Sequence, residues 1–95
     1  MAALFIAQVQ VDDADAYGAY SAAAGASIGT HSARPKAITD DPVVVEGSWH
    51  GPRTIVLEFD DVDAAKAWYY SDEYQEAKKL RESGVVVNAV IVPCF

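Results

Sequence analysis

Two side chains in this sequence have the types and settings that acid–base chemistry uses, Glu58 and His31. Glu58 lies inside an apolar run, Arg53-Thr54-Ile55-Val56-Leu57-Glu58-Phe59, whose alternation puts Arg53, Ile55, Leu57 and Phe59 on one face and Thr54, Val56 and Glu58 on the other. A carboxylate in mid-sheet is costly to ionise unless paired. It can therefore act as a general base with a pKa raised by burial, or settle into a structural ion pair. His31 sits beside Arg34 and Lys36, the most basic spot of the chain. It suits proton transfer or axial ligation, and equally a loop position satisfied by backbone hydrogen bonds. Arg53 has the planar fork that clamps carboxylates. Trp49, Tyr69 and Tyr74 supply rings that can line a pocket or simply fill a core. Arg81 follows Lys78 and Lys79, where positive charge complements a helix C-terminus.

The elements that must carry these residues are legible from period and punctuation. Ala3 to Val11 alternates as a strand, with Phe5, Ala7, Val9 and Val11 on one face and Leu4, Ile6, Gln8 and Gln10 on the other. Asp12 and Asp13 can cap the helix expected over residues 14–28, which carries Tyr17, Tyr20, Ala24 and Ile28 at helical spacing; Gly29 is its expected stop. Ala33 to Ile38 reads as a short strand whose Pro35 demands an edge or a bulge. The β-branched run Val43 to Glu46 reads as a short returning strand, followed by a loop carrying Trp49 and an exposed His50. After the strand from Arg53, the acidic trio Asp60, Asp61 and Asp63 opens a second helix. Ser71 breaks and recaps it, and it is expected to run to about Ser83. Gly84 stops it, and Val85 to Val92 forms the last strand, closed by Pro93.

The order β-α-β-β-α-β predicts an α+β protein, a ferredoxin-like sandwich with helices on one face of an antiparallel four-stranded sheet. A sheet covered on one side should alternate apolar with polar. The final strand is apolar on both faces apart from Asn88, and the first is so through Leu4 and Ile6. A homodimer in which two sheets face each other is the expected source of the second cover.

Composition narrows the partners. Ninety-five residues make one domain, 1–95, and a chain this short buries only about 60–65% of its unfolded surface. A formal charge of −7 argues against nucleic acid and against an anionic membrane surface. No apolar run approaches the ~20 residues of a membrane span, and no signal peptide is visible, so a cytoplasmic protein is expected. The single cysteine, Cys94, cannot form an internal disulfide. There is no CxxC, no HExxH, no clustered His/Cys set and no glycine-rich phosphate loop. Neither a metal nor a cofactor is expected. Ser71 has no His/Asp partners in view, and capping accounts for it.

Several of these residues also carry a family resemblance. Asp13, Tyr17, Tyr20 and His31, then Glu46-Gly47-Ser48-Trp49, Arg53, Leu57-Glu58-Phe59, Ala67-Trp68-Tyr69-Tyr70-Ser71, Tyr74-Gln75 and Arg81, resemble the family called domain of unknown function 1330. The likeness spans nearly the whole chain. It implies the paired ferredoxin-like fold of the dimeric α/β-barrel superfamily, whose members include cofactor-free monooxygenases, isomerases, haem-dependent enzymes and binding modules. It therefore implies no reaction. Where that family often has a glycine pair after the histidine, Ser32-Ala33 stands here.

Two functional readings follow. In the first, a pocket between helices and sheet, lined by His31, Trp49, Arg53, Glu58, Tyr69 and Tyr74, takes a small anionic or aromatic molecule. Arg53 would clamp the anion, and Glu58 or His31 would transfer protons in a cofactor-independent enzyme. In the second, the protein is a non-catalytic dimeric module whose aromatics are only core.

Overall fold

Acidic caps and a few left-handed residues divide the chain into its elements. The computed structural model describes residues 1–95. It contains β1 (Ala3–Val11), α1 (Ala14–Thr30), β2 (Arg34–Thr39), β3 (Arg53–Phe59), α2 (Val62–Tyr69), α3 (Asp72–Lys79) and β4 (Val85–Pro93). The strands form one antiparallel sheet in the order β2-β3-β1-β4, so the architecture is the expected ferredoxin-like one with its second helix split.

Each helix starts on a side chain that accepts from otherwise orphaned backbone N–H groups. Asp13 accepts from Asp15 and Ala16, Asp61 from Ala64, and Ser71 from Tyr74. The Ser71 hydroxyl also donates to the Trp68 carbonyl at 2.7 Å, so one residue closes α2 and opens α3. Gly84 adopts φ +122° after α3, and its carbonyl accepts from the Asp12 and Asp13 amides at 2.8 and 2.9 Å. A side chain there would bring its Cβ to 2.6 Å from the Cβ of Asp13, so only glycine fits.

Three boundaries differ from the sequence reading. α1 runs through Gly29 to Thr30, and the chain turns at Ser32 with φ 56°. α3 ends at Lys79, four residues before Ser83, in a run of turns. Val43 to Glu46 forms no strand. Val43 and Val45 are 86% and 91% exposed, because β2 pairs directly with β3 and leaves this segment no ladder to join. Its β-branched residues favour a strand only where a neighbouring strand exists. Pro35 does sit on an edge strand, beside a register shift between Pro35 and Ala37.

The inner face of the sheet carries Phe5, Ala7, Val9, Leu57 and Phe59, buried beneath the helices. Trp68 is the hub, with ring centroids of Tyr74, Phe5 and Phe59 at 4.4, 5.0 and 5.4 Å. Its indole N–H donates to Ser27 Oγ at 3.0 Å, and Ser27 donates onward to the Ala24 carbonyl at 2.7 Å. The polar edge of the ring is thus satisfied inside the core. Apart from the loop that lays Trp49 on Thr54, the outer face has no cover. Val86 and Val90 there are 55% and 56% exposed, and the molecule is a plate whose Cα extents are 34 × 34 × 15 Å. No helix is long and apolar enough to cross a membrane.

Candidate functional site

Helix α1 is rich in alanine and glycine, and it leans on α3 more closely than on the sheet. Where Ser21, Ala24 and Gly25 face the strands, short side chains leave space that Tyr17, Tyr20 and Ile28 only partly fill. The result is a cavity of about 100 Å³ between α1 and the sheet, floored by Phe5, Ala7, Ile55, Leu57 and Trp68. Its walls are almost wholly apolar. The charged group at its edge is Arg53.

Arg53 opens β3 and pairs with Val9 of β1, which turns its side chain to the inner face. Its Nε donates to the Tyr17 hydroxyl at 2.7 Å, and its Nη1 donates to the Asp40 carboxylate at 3.2 Å. The guanidinium carbon lies 5.4 Å from the centroid of the Tyr17 ring. Stacking and two hydrogen bonds hold the fork in place at the rim.

The other expected site residues do not converge on this cavity. Glu58 points to the outer face, as its strand parity requires. Arg34 Nε donates to its Oε1 at 3.0 Å, and Lys36 Nζ lies 3.5 Å from the same oxygen. The hydrogen bond from Arg34, aided by Lys36, holds the Glu58 carboxyl below the usual carboxylate range. The rise that a buried general base needs is therefore reversed, because the mid-sheet carboxylate brought its own cations. His31 caps the far end of α1. Its Nδ1 donates to the Ser27 carbonyl at 2.9 Å, and Thr30 beside it lies 3.0 Å from a Glu73 oxygen.

Trp49 leans over the outer face and donates from its indole N–H to Thr54 Oγ1 at 3.1 Å. It lines a separate open groove of about 500 Å³ with Gln10, Asp40 and His50. Tyr69 borders another groove with Phe5, Tyr70 and Ile91. Tyr74 is buried, its hydroxyl 2.7 Å from that of Tyr20. Burial, with Tyr74 adding, pushes the Tyr20 phenol well above its ordinary value, so it keeps its proton and can donate.

Tyr17 and Tyr20 are the cleft residues that side-chain chemistry alone did not single out. The available signal was two phenols three apart on a helix otherwise built of small residues, a spacing that puts both on one face. Cys94 is half-buried and unpaired.

The fold and this cleft define a class: a small ferredoxin-like α+β protein with an apolar, arginine-edged cavity between helix and sheet. The chain belongs to the family described as Domain of unknown function (DUF1330), whose model matches residues 2–95. No curated protein matches it. Among solved structures, a protein of unknown function from Rhodopseudomonas palustris is 17% identical with a TM-score of 0.80, covering 99% of this chain and 82% of its own. A protein from Bacteroides fragilis, described as dimeric, of unknown function and ferredoxin-like, is 16% identical with a TM-score of 0.66, covering 98% and 96%. Rv0793 from Mycobacterium tuberculosis is 15% identical with a TM-score of 0.61, covering 100% and 96%. At these identities the likeness is one of fold.

Proposed function

We propose that the protein is a homodimeric binding protein for a small anionic or aromatic molecule, each protomer holding one molecule in the cleft between α1 and the sheet. The observation that carries this reading is the pairing of Arg53 and Tyr17 at the edge of an otherwise apolar cavity. Ligand sites have that composition: apolar walls and a few placed polar groups. The volume, about 100 Å³, admits a short chain, and a ring only where the α1 side chains give way. It is somewhat below the ~150 Å³ dry cavity that takes benzene. Support for the homodimer comes from the bare apolar outer face and from the relative described as dimeric.

Binding is favoured over acid–base catalysis because Glu58 and His31 both lie away from the cavity. A titration with carboxylates from butyrate to benzoate, followed by NMR, tests the cleft. The Tyr17 and Arg53 signals should shift, and Arg53→Ala should weaken the response roughly tenfold or more, as losing a charge-assisted hydrogen bond does. A cleft that responds to none of them, or equally well without Arg53, returns the protein to the second reading, a non-catalytic module with a filled core. A stable monomer at low micromolar concentration in sedimentation experiments would remove the dimer.

A further inference from the structure

Arg53 does not meet the cleft with an uncompensated charge. Its Nη1 donates to both oxygens of the Asp40 carboxylate, at 3.2 and 3.3 Å, while its Nε donates to the Tyr17 hydroxyl at 2.7 Å. Nη2 makes no hydrogen bond, so part of the fork is still open. Asp40 follows directly on β2, whose last residue, Thr39, pairs with Thr54 beside Arg53. The chain therefore delivers a carboxylate of its own to the group that the proposed ligand would use.

The two partners are held unequally. The Arg53 side chain is 26% exposed and stacks on Tyr17, whereas that of Asp40 is 65% exposed. Asp40 also lines the open groove it shares with Trp49 and His50, which gives its side chain room to swing away. An ion pair that faces solvent contributes little to stability, so breaking this one costs little. Its effect falls on binding instead. A ligand carboxylate at Arg53 must displace Asp40 or stand beside it against the repulsion of like charges. A neutral head that accepts from Nη2 meets neither obstacle. The formal charge of −7 weighs further against an incoming anion.

We propose that Asp40 is the specificity-determining residue of the cleft, a built-in competitor for Arg53 that handicaps carboxylates relative to neutral molecules of the same shape, such as primary amides. This rests on the cleft reading above and adds to it a filter on the charge of the ligand's polar head.

The test uses the intact protein and two isosteric pairs, butyrate with butyramide and benzoate with benzamide. Each is titrated while the Tyr17 ring resonances are followed by NMR. Asp40→Asn keeps an oxygen that can accept from Nη1 and removes only the charge. It should tighten carboxylate binding about three- to tenfold, a gain in keeping with an exposed ion pair, and leave the amides within about twofold of the wild type. Asp40→Glu retains the charge and should leave the carboxylates as weak as in the wild type. Three results overturn the proposal. One is unchanged carboxylate affinity in Asp40→Asn. Another is a fall in carboxylate and amide affinity together, which would make Asp40 a support that only holds the fork in place. The third is a carboxylate gain in Asp40→Glu as large as in Asp40→Asn. The cleft reading survives all three as long as Arg53→Ala weakens wild-type binding. No shift at Tyr17 with any of the four compounds removes both readings.

Discussion

The two faces of this sheet are made by alternate residues of the same strands, yet only one is closed. On the inner face, Phe5, Leu57 and Phe59 lie under the helices around Trp68. On the outer face, the cross-strand row Ala37, Val56, Ile6 and Val90 is just as apolar and has nothing above it. The next row, Thr39, Thr54, Gln8 and Asn88, is polar across all four strands. Beyond the apolar row, Arg34 and Glu58 pair across β2 and β3. The difference is one of cover. Three helices are enough for one face of a four-stranded sheet, and α1 even stands off far enough to leave the cleft. An outer face with an apolar centre, a polar row and a charged corner has the layout of an interface that selects a register, and the proposed dimer would use it so.

The comparison can be broken most directly at Trp68. Trp68→Ala removes the hub of the inner face and takes away the indole donor to Ser27 Oγ, whose own bond to the Ala24 carbonyl stays. It should cost about 3–5 kcal/mol, enough to unfold much of a marginal 95-residue protomer in a urea titration. A loss below about 1 kcal/mol would show that the inner face is not the main source of stability.

Val90→Glu tests the other face. It should leave the secondary structure intact but weaken self-association roughly 100-fold, about 2.8 kcal/mol, in sedimentation experiments. Unchanged association would move the interface elsewhere, and the exposed Val43–Val45 segment would be the next surface to examine.

How much of this was legible follows from which interactions are local. The caps at Asp13, Asp61 and Ser71, the left-handed turn at Gly84 and the bulge beside Pro35 are set within a few residues, and the sequence announces them, although α3 itself ends earlier, at Lys79. The parity of β3 likewise assigned Glu58 and Arg53 to opposite faces. Gathering both into one pocket contradicted that parity, and the structure sides with the parity. Non-local choices were less accessible. Val43 to Glu46 has every local mark of a strand and lacks only a neighbour. The cavity depends on how far α1 stands from the sheet, which no single residue encodes. Arg81 reads in sequence as a helix-end charge, and only the fold reveals that α1 buries it.

Glu58 gives the outer face a pH signature. Its pKa is lowered in the folded protein, first by the hydrogen bond from Arg34 and then with help from Lys36. A carboxylate with a depressed folded pKa stabilises fully above its unfolded value, about 4.3, and that contribution fades as pH falls through the folded one. Glu58→Gln should therefore flatten the acid side of the stability profile below about pH 4.3 and leave the slope above pH 6 unchanged. An acid limb identical to that of the wild type would mean the ion pair is equally formed in the unfolded chain.

The smallest expected effect separates protomer stability from association. Ser32 is a left-handed non-glycine residue, φ 56°, in the loop joining α1 to the edge strand β2. An L side chain pays roughly 1 kcal/mol or more for that conformation, while glycine adopts it freely but gives up more entropy on folding. The balance predicts that Ser32→Gly raises stability by about 0.5 kcal/mol. Because Ser32 belongs to neither face of the sheet, the gain in urea midpoint should be the same at every protein concentration. The loss from Val90→Glu should instead depend on concentration, since it acts through the partner. A Ser32→Gly effect that also varied with concentration would place the α1–β2 loop inside the interface and redraw the boundary between the covered face and the open one.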